Sequence, residues 1–122
     1  MNLEERHGEL VRNLAKPGAY VRREMSDTGA HLVHMALGVA GETGELIDAL
    51  KKSAIYRKPL DLDNVIEELG DIEFYLSGIR QCLGISREAC LKENVEKLQR
   101  RYPSGSYSNQ HAVERADKDG AQ

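Results

Sequence analysis

Two pairs of acidic residues carry the clearest chemical signal in the sequence. Glu42 and Glu45 lie in the segment GETGEL, and Glu68 and Asp71 lie in the segment EELGD. Within each pair the acids are three residues apart, a spacing that places both side chains on one face of a helix. Each segment therefore predicts a helix that directs two carboxylates toward one point.

The direction of these acids adds to their spacing. At ~100° per residue, Glu42 and Glu45 share an arc of one helix with His34, Gly38 and Lys52, and apolar residues lie beside that arc. The second acidic pair borders the apolar stripe of its own helix in the same way. We therefore expect both pairs at the edge of the core-facing surface, where packing of the two helices brings the four acids together.

Four carboxylates that lie close together and are partly removed from water repel one another strongly. A hard divalent cation offsets this repulsion. Mg²⁺, or Mn²⁺ in its place, prefers oxygen ligands, and Mg²⁺ leaves coordination positions for water and phosphate. Such an ion polarises a phosphoryl oxygen and makes a nucleophile from water. The pattern predicts a metal site for chemistry on phosphates, with Glu42, Glu45, Glu68 and Asp71 as its ligands.

Glycines around the acids support this interpretation. A glycine inside a helix costs ~1 kcal/mol relative to alanine, so several of them indicate a close approach of backbone, metal or ligand. The alternative explanation for the glycines is tight packing of two helices at small residues. The alternative for the acids is that a pair of this spacing most often forms only a solvated helix face. The glycines concerned are Gly38, Gly41, Gly44 and Gly70.

A basic stripe near the end of the last predicted helix is a candidate partner for phosphate. Lysine acts on phosphate as a point charge and arginine as a fork, and asparagine can hydrogen-bond a phosphate or a base edge. The alternative is that a basic last turn simply favours the helix dipole. Lys52 and His34, on the first acidic stripe, are further candidates, although such a histidine is more often structural. The stripe comprises Asn94, Lys97 and Arg101, with Tyr102 next in the chain.

Four helices are predicted to position these groups. Leucine spacing, capping residues and breakers set their limits, and no segment alternates with period two over a useful length. The class is all-α, a four-helix bundle-like fold, with one domain over residues 1–103 and a disordered tail over residues 104–122. The predicted helices run from Leu3 to Ala15, from Ser26 or Asp27 to about Tyr56, from Asp61 or Asp63 to about Leu83, and from Ser86 to just before Pro103.

Composition limits the classes of partner. The chain has 122 residues and a net charge of −3, so no basic excess favours nucleic acid or a membrane surface. No apolar run approaches the ~20 residues that cross a bilayer. The first residues show no signal-peptide core, and Cys82 and Cys90 have no zinc spacing, which fits a reducing compartment. We therefore expect a cytoplasmic protein.

Taken in order, GETGELIDALKK, EELGD and NVEKLQRRYP resemble the MazG-like branch of the all-α nucleoside triphosphate pyrophosphohydrolases. The two acidic motifs are separated by 22 residues, Leu46 to Glu67, and the resemblance covers residues 30 to 103. It implies Mg²⁺-dependent cleavage of an NTP or dNTP between the α- and β-phosphates, giving a monophosphate and pyrophosphate. It also implies a homodimer or homotetramer with sites at subunit interfaces.

The resemblance assigns roles to individual residues. It makes the four acids the metal ligands, and it places five residues near the phosphates: Lys52, Asn94, Lys97, Arg101 and Tyr102. Our mechanistic hypothesis is that Glu45 accepts a proton from the attacking water while Lys97 and Arg101 offset charge on the leaving pyrophosphate.

Three alternatives remain open at this point. Phosphoribosyl-ATP pyrophosphohydrolase and a dUTPase-like enzyme are rivals of similar helical architecture. A non-catalytic helical oligomerisation module is a rival of another class. The sequence has no tryptophan and one phenylalanine, Phe74, so it shows no obvious aromatic pocket for a base and leaves the preferred nucleotide undetermined.

Overall fold

The computed structural model describes residues 1–119. These residues form helices and no strand, which confirms the predicted all-α class. In chain order the helices are α1 (Leu3–Leu14), α2 (Gly18–Glu24), α3 (Asp27–Ala54), α4 (Leu62–Leu83), α5 (Arg87–Arg101), α6 (Asn109–Glu114) and α7 (Ala116–Asp119). The sequence made no assignment for the segment that forms α2.

Side-chain caps define where the two longest helices begin. The Ser26 hydroxyl accepts a hydrogen bond from the Gly29 N–H at 2.9 Å and starts α3. The Asp61 carboxylate accepts one from the Asn64 N–H at 3.1 Å and starts α4. Each cap satisfies a backbone donor that has no partner inside the helix.

The turn between α4 and α5 also follows from local chemistry. Gly84 has φ 66° and ψ 30°, a left-handed conformation that glycine adopts without a steric penalty. The Ile85 N–H then donates to the Arg80 carbonyl at 2.9 Å, which closes the last turn of α4. Immediately afterwards, the Ser86 hydroxyl caps α5 by accepting from the Ala89 N–H at 3.0 Å.

The main packing interface of the chain is between α3 and α4. Met35 of α3 lies against Gly78 of α4, and Gly38, further along α3, lies against Tyr75, which comes earlier in α4. The two helices are therefore antiparallel. Met35 and Ala49, both on α3, are the buried apolar residues of the described part of the chain, so this core is thin.

Much apolar surface of the α3–α4 pair stays exposed in one chain. Of the predicted apolar stripe on α4, Leu69 and Leu83 are about half exposed. The helix α5 packs mainly on α6 and α7 rather than over this pair, so the bundle of a single chain is open. Five large apolar side chains of α3 and α4 are more than half exposed: Leu37, Ile47, Leu62, Ile66 and Phe74.

The segment after Ser104, for which the sequence predicts disorder, contains α6 and α7 up to Asp119. The Ser108 hydroxyl caps α6 by accepting from the His111 N–H at 3.0 Å. The Tyr102 ring contacts the rings of Tyr107 and His111, with centroids 5.8 and 6.4 Å away. These contacts order a segment that lacks apolar periodicity. Residues 120–122 of the predicted tail lie outside the described residues, and the domain limit at residue 103 stays a prediction.

None of the helices within residues 1–119 combines the length and the apolar character needed to cross a membrane.

Candidate metal and phosphate site

The antiparallel register of α3 and α4 brings acids from both helices together. Glu42 and Asp71 each lie one helical turn from the contact between Gly38 and Tyr75. Carboxylate oxygens of Glu42, Glu68 and Asp71 all lie within 4.8 Å of one another. The structure therefore brings three of the four predicted metal ligands into one cluster, which we call the acid cluster.

Glu68 is the buried member of the acid cluster, with 9% of its surface exposed. Its pKa is raised from 4.5 to about 7, first because its carboxyl group hydrogen-bonds with Glu42, then because of burial, and then because of the negative charges of Glu42, Glu45 and Asp71. Each of these causes disfavours the ionised form of Glu68. The fold thus holds a carboxylate that needs either a proton or a cation beside it.

A divalent cation fits this arrangement of groups. A protonated Glu68 can share its proton with Glu42, but once both groups are ionised the buried Glu68 Oε2 atom has no hydrogen-bond partner. A buried polar atom without a partner is costly, and a metal ion provides one. All donors in the acid cluster are carboxylate oxygens, which are the ligands that Mg²⁺ and Mn²⁺ prefer.

Glu45, the fourth predicted ligand, lies outside the acid cluster. Its side chain is exposed, and its charge still contributes to the raised pKa of Glu68. Glu45 is therefore near the site but on its solvent side. Whether it binds metal or accepts a proton stays a prediction.

The two other candidates on α3 are exposed. Lys52 forms an ion pair with Asp48, with Nζ 3.0 Å from Oδ2 and both side chains more than half exposed. His34 is exposed and lies two turns before Glu42. Neither residue is held in a buried network, so their predicted contacts with substrate stay predictions.

The basic stripe of α5 is not brought to the acid cluster within one chain. Asn94 and Lys97 line a shallow groove of about 460 Å³ together with Ile85, Cys90 and Glu93. The helix α5 packs mainly on the last two helices and not on the acids of its own chain. If this stripe binds the phosphates as predicted, it must therefore do so beside something other than the acids of its own chain.

Arg101 is partly buried and forms an ion pair, with the buried Asp117, that the sequence does not indicate. Its Nε and Nη2 atoms donate to the two carboxylate oxygens of Asp117 at 2.9 and 3.1 Å. The pKa of Asp117 falls from 3.8 to about 2, first because of the hydrogen bond from Arg101, and Arg115 also lies 3.8 Å away. The sequence analysis did not select Asp117. Its role depends on a contact with Arg101 of α5, 16 residues earlier in the chain, and no pattern in the tail indicates that contact.

Comparison with family models identifies the group to which these elements belong. Residues 31–106 match the MazG nucleotide pyrophosphohydrolase domain, a match that covers more than half of the chain. The chain belongs to the MazG family. No curated protein and no solved structure matches the chain significantly. The predicted MazG resemblance is confirmed, and membership supports a nucleotide pyrophosphohydrolase activity in general.

The glycines of this MazG chain behave differently from one another. A Cβ atom at Gly38 would overlap the Tyr75 ring, whereas one at Gly41, Gly44 or Gly70 would meet no heavy atom within 4 Å. The close approach expected at all four glycines is therefore found in this chain only at Gly38. The sequence placed Gly38 on the stripe of the first acidic pair but gave no sign that Gly38 touches Tyr75.

Proposed function

We propose that this MazG protein is a Mg²⁺-dependent hydrolase that cleaves a nucleoside triphosphate, ribo- or deoxyribo-, between its α- and β-phosphates. The products are a nucleoside monophosphate and pyrophosphate. The observation that carries the proposal is the acid cluster, in which a buried oxygen of Glu68 has no partner. The family supports the class of reaction, and the cluster supports its dependence on a metal ion.

Glu42, Glu68 and Asp71 would hold the metal ion, with Mg²⁺ or Mn²⁺ as the ion that suits an all-oxygen donor set. When bound, such an ion offsets carboxylate repulsion and supplies Lewis-acid polarisation of a phosphoryl oxygen. Glu45 is exposed beside the cluster, so its carboxylate can contact water and accept a proton from it.

The basic residues of α5 serve the phosphates in this proposal. Lys97 and Arg101 offset charge on the leaving pyrophosphate. The ion pair with Asp117 occupies two of the five N–H donors of the guanidinium, and the others remain for a phosphate oxygen. The remaining proposed substrate contacts are His34, Lys52, Asn94 and Tyr102.

A homodimer or homotetramer is part of the same proposal. In one chain the basic stripe of α5 is not packed on the acids, and α3 and α4 leave large apolar side chains exposed. A second copy that covers this surface would complete the bundle and could bring a basic stripe to the acid cluster. The proposed location is the cytoplasm, where nucleoside triphosphates are abundant.

A substrate panel tests the activity. The purified protein is incubated with the common NTPs and dNTPs, dUTP and phosphoribosyl-ATP, with Mg²⁺ or with EDTA, and phosphorus NMR distinguishes pyrophosphate from orthophosphate. We expect equal amounts of monophosphate and pyrophosphate with Mg²⁺ and no reaction with EDTA. A marked preference for phosphoribosyl-ATP or dUTP assigns the corresponding alternative. Absence of turnover with every nucleotide contradicts the proposal.

Glu45→Gln tests the proposed proton acceptor. Loss of general base catalysis should lower kcat by roughly 10²- to 10⁴-fold. Weaker Mn²⁺ binding by the same variant would show that Glu45 is also a metal ligand. Glu67→Gln is a matched control, because Glu67 is an exposed acid of α4 outside the acid cluster. Undiminished pyrophosphate release by Glu45→Gln removes the role of Glu45 as base.

A non-catalytic oligomerisation module is the second candidate. It is favoured by the exposed apolar residues of α3 and α4, such as Leu37 and Ile66. This function predicts a stable assembly with no nucleotide turnover and no change in stability on adding Mg²⁺. The substrate panel, combined with unfolding curves with and without Mg²⁺, separates the two functions.

A further inference from the structure

We propose that the contact between Gly38 and the Tyr75 ring is a spacer that sets the separation of α3 and α4 at the acid cluster. Gly38 and Tyr75 are then positioning residues for the metal ligands. This inference rests on the proposed function, because it requires the acid cluster to bind a divalent cation.

The register of the two helices places this contact close to the acids of α3 and to the acids of α4. Gly38 precedes Glu42 by four residues on α3, and Tyr75 follows Asp71 by four residues on α4. Four residues are about one turn, or ~6 Å along a helix axis. Any change in the distance between the helices at this contact is therefore transmitted to the acids almost undiminished.

The contact has no room for even one more carbon atom. A Cβ atom at position 38 would overlap Cγ, Cδ1 and Cε1 of the Tyr75 ring. The ring is partly buried, and the Phe74 ring packs on it edge-on, with centroids 5.1 Å apart and planes at 89°. A rigid ring held in this way cannot easily turn aside, so an added methyl group forces the helices apart or displaces the ring.

The acid cluster is sensitive to such a shift. Three carboxylate oxygens within 4.8 Å of one another can share one cation, but Mg²⁺ requires oxygen ligands at ~2.0–2.1 Å in near-octahedral geometry. A functional site tolerates displacements of only about 0.5 Å. The spacer thus controls whether ligands from α3 and α4 reach the same ion.

Two other glycines of the same helix pair provide matched controls. Gly78 also faces a close neighbour, since a Cβ atom there would lie 2.5 Å from Met35 Sδ, but this contact is two turns from the acids and the neighbour is a flexible thioether. Gly44 lies between Glu42 and Glu45 in sequence, and a Cβ atom there would meet nothing within 4 Å.

The experiment compares Gly38→Ala, Gly78→Ala and Gly44→Ala in the full chain. Mn²⁺ affinity is measured by electron paramagnetic resonance titration, and stability by the urea midpoint. We expect Gly38→Ala to weaken Mn²⁺ binding by about 10- to 100-fold, the range seen when residues supporting metal ligands are changed. Gly78→Ala should lower the urea midpoint without a comparable loss of affinity. Gly44→Ala should preserve the Mn²⁺ affinity and raise the urea midpoint, because the added methyl group meets nothing and alanine favours a helix.

Variants of Tyr75 distinguish spacing from direct contact with metal or substrate. Tyr75→Phe keeps the ring and should bind Mn²⁺ as the wild type does. Tyr75→Leu removes the ring and should weaken binding, which provides a test even if Gly38→Ala does not fold. The double variant Gly38→Ala with Tyr75→Leu makes room for the added methyl group and should bind Mn²⁺ more tightly than Gly38→Ala alone.

The outcomes separate this inference from the proposed function. If the wild type binds no Mn²⁺, the metal site itself fails. If the wild type binds Mn²⁺ and both Gly38→Ala and Tyr75→Leu bind it equally well, the metal site stands and the spacer is overturned. A loss of affinity in Gly78→Ala as large as that in Gly38→Ala also overturns it, because affinity would then follow general packing.

Discussion

At the scale of single residues, Glu68 combines burial with three acidic neighbours. Glu42 and Asp71 belong to the same cluster, and Glu45 adds charge from the solvent side. An unfolded Glu68 would be surrounded by water and would ionise near pH 4.5, whereas the folded protein keeps the proton to about pH 7. Folding therefore favours the protonated form of this one carboxyl group.

The raised pKa of Glu68 predicts how stability varies with pH in the absence of metal. Between pH 4.5 and about 7 the folded chain binds more protons than the unfolded chain, so the contribution of Glu68 to stability falls as the pH rises through this interval. Glu68→Gln keeps a neutral group and should remove this part of the loss. Urea midpoints measured in EDTA at pH 5 and pH 8 check the prediction.

The control for this experiment is Glu67→Gln, which changes an exposed neighbour and should keep the pH dependence of the wild type. With Mg²⁺ at pH 8, the wild type should gain stability and Glu68→Gln should gain much less. An unchanged pH dependence in Glu68→Gln would mean that the acid cluster does not strain the folded chain.

At the scale of elements, the sequence predicts well what is decided locally. The starts of α3 and α5 follow from Ser26 and Ser86, and the end of α4 follows from the left-handed Gly84. Each of these signals acts within a few residues, so the local sequence is sufficient to predict where the helix begins or ends. The meeting of the two acidic stripes was also predictable, because amphipathic helices that follow one another in the sequence often pack against each other.

Contacts between distant residues were not predictable in the same way. The exposed position of Glu45, the contact of Gly38 with Tyr75 and the packing of α5 on the last helices depend on rotations and distances that a residue pattern does not specify. The helices after Ser104 depend on contacts with Tyr102 and Arg101. The polar composition of this segment gives no indication of these contacts.

The ion pair between Arg101 and Asp117 predicts an acid-sensitive attachment of α7 to α5. The pKa of Asp117 is lowered from 3.8 to about 2, so its contribution to stability is fully present above pH 3.8 and is lost as the pH falls toward 2. Asp117→Asn should therefore speed hydrogen exchange in α6 and α7 at neutral pH, with a difference from the wild type that shrinks in acid. Mass spectrometry of the exchanged peptides measures it.

Glu114→Gln is the matched control for Asp117, since Glu114 is exposed and accepts a hydrogen bond only from Gln110 among the described contacts. It should leave exchange in α7 unchanged. Equal protection in the wild type and Asp117→Asn would show that the ion pair does not hold the last helices in place.

At the scale of the whole molecule, the open α3–α4 pair predicts self-association. Exposed apolar patches of this kind mark interaction sites, and a chain of this size buries too little surface for a large core of its own. Light scattering after gel filtration should give two or four times the chain mass of 13.6 kDa. Ile47→Glu, on the exposed face of α3, should shift the protein toward the monomer.

Val113→Glu is a comparison variant for the assembly, because Val113 is 82% exposed on α6, away from the α3–α4 pair. It should leave the mass unchanged. A wild type that is monomeric at every concentration, with full pyrophosphohydrolase activity, would show that one open chain is sufficient for function.

Direct titration with Mn²⁺ tests most plainly whether the acids of α3 and α4 form a metal site. Electron paramagnetic resonance should show saturable binding by the wild type and by Glu67→Gln, and at least about tenfold weaker binding by Glu42→Gln, Glu68→Gln and Asp71→Asn. No binding by the wild type, or the same affinity in all of these variants, would contradict the account.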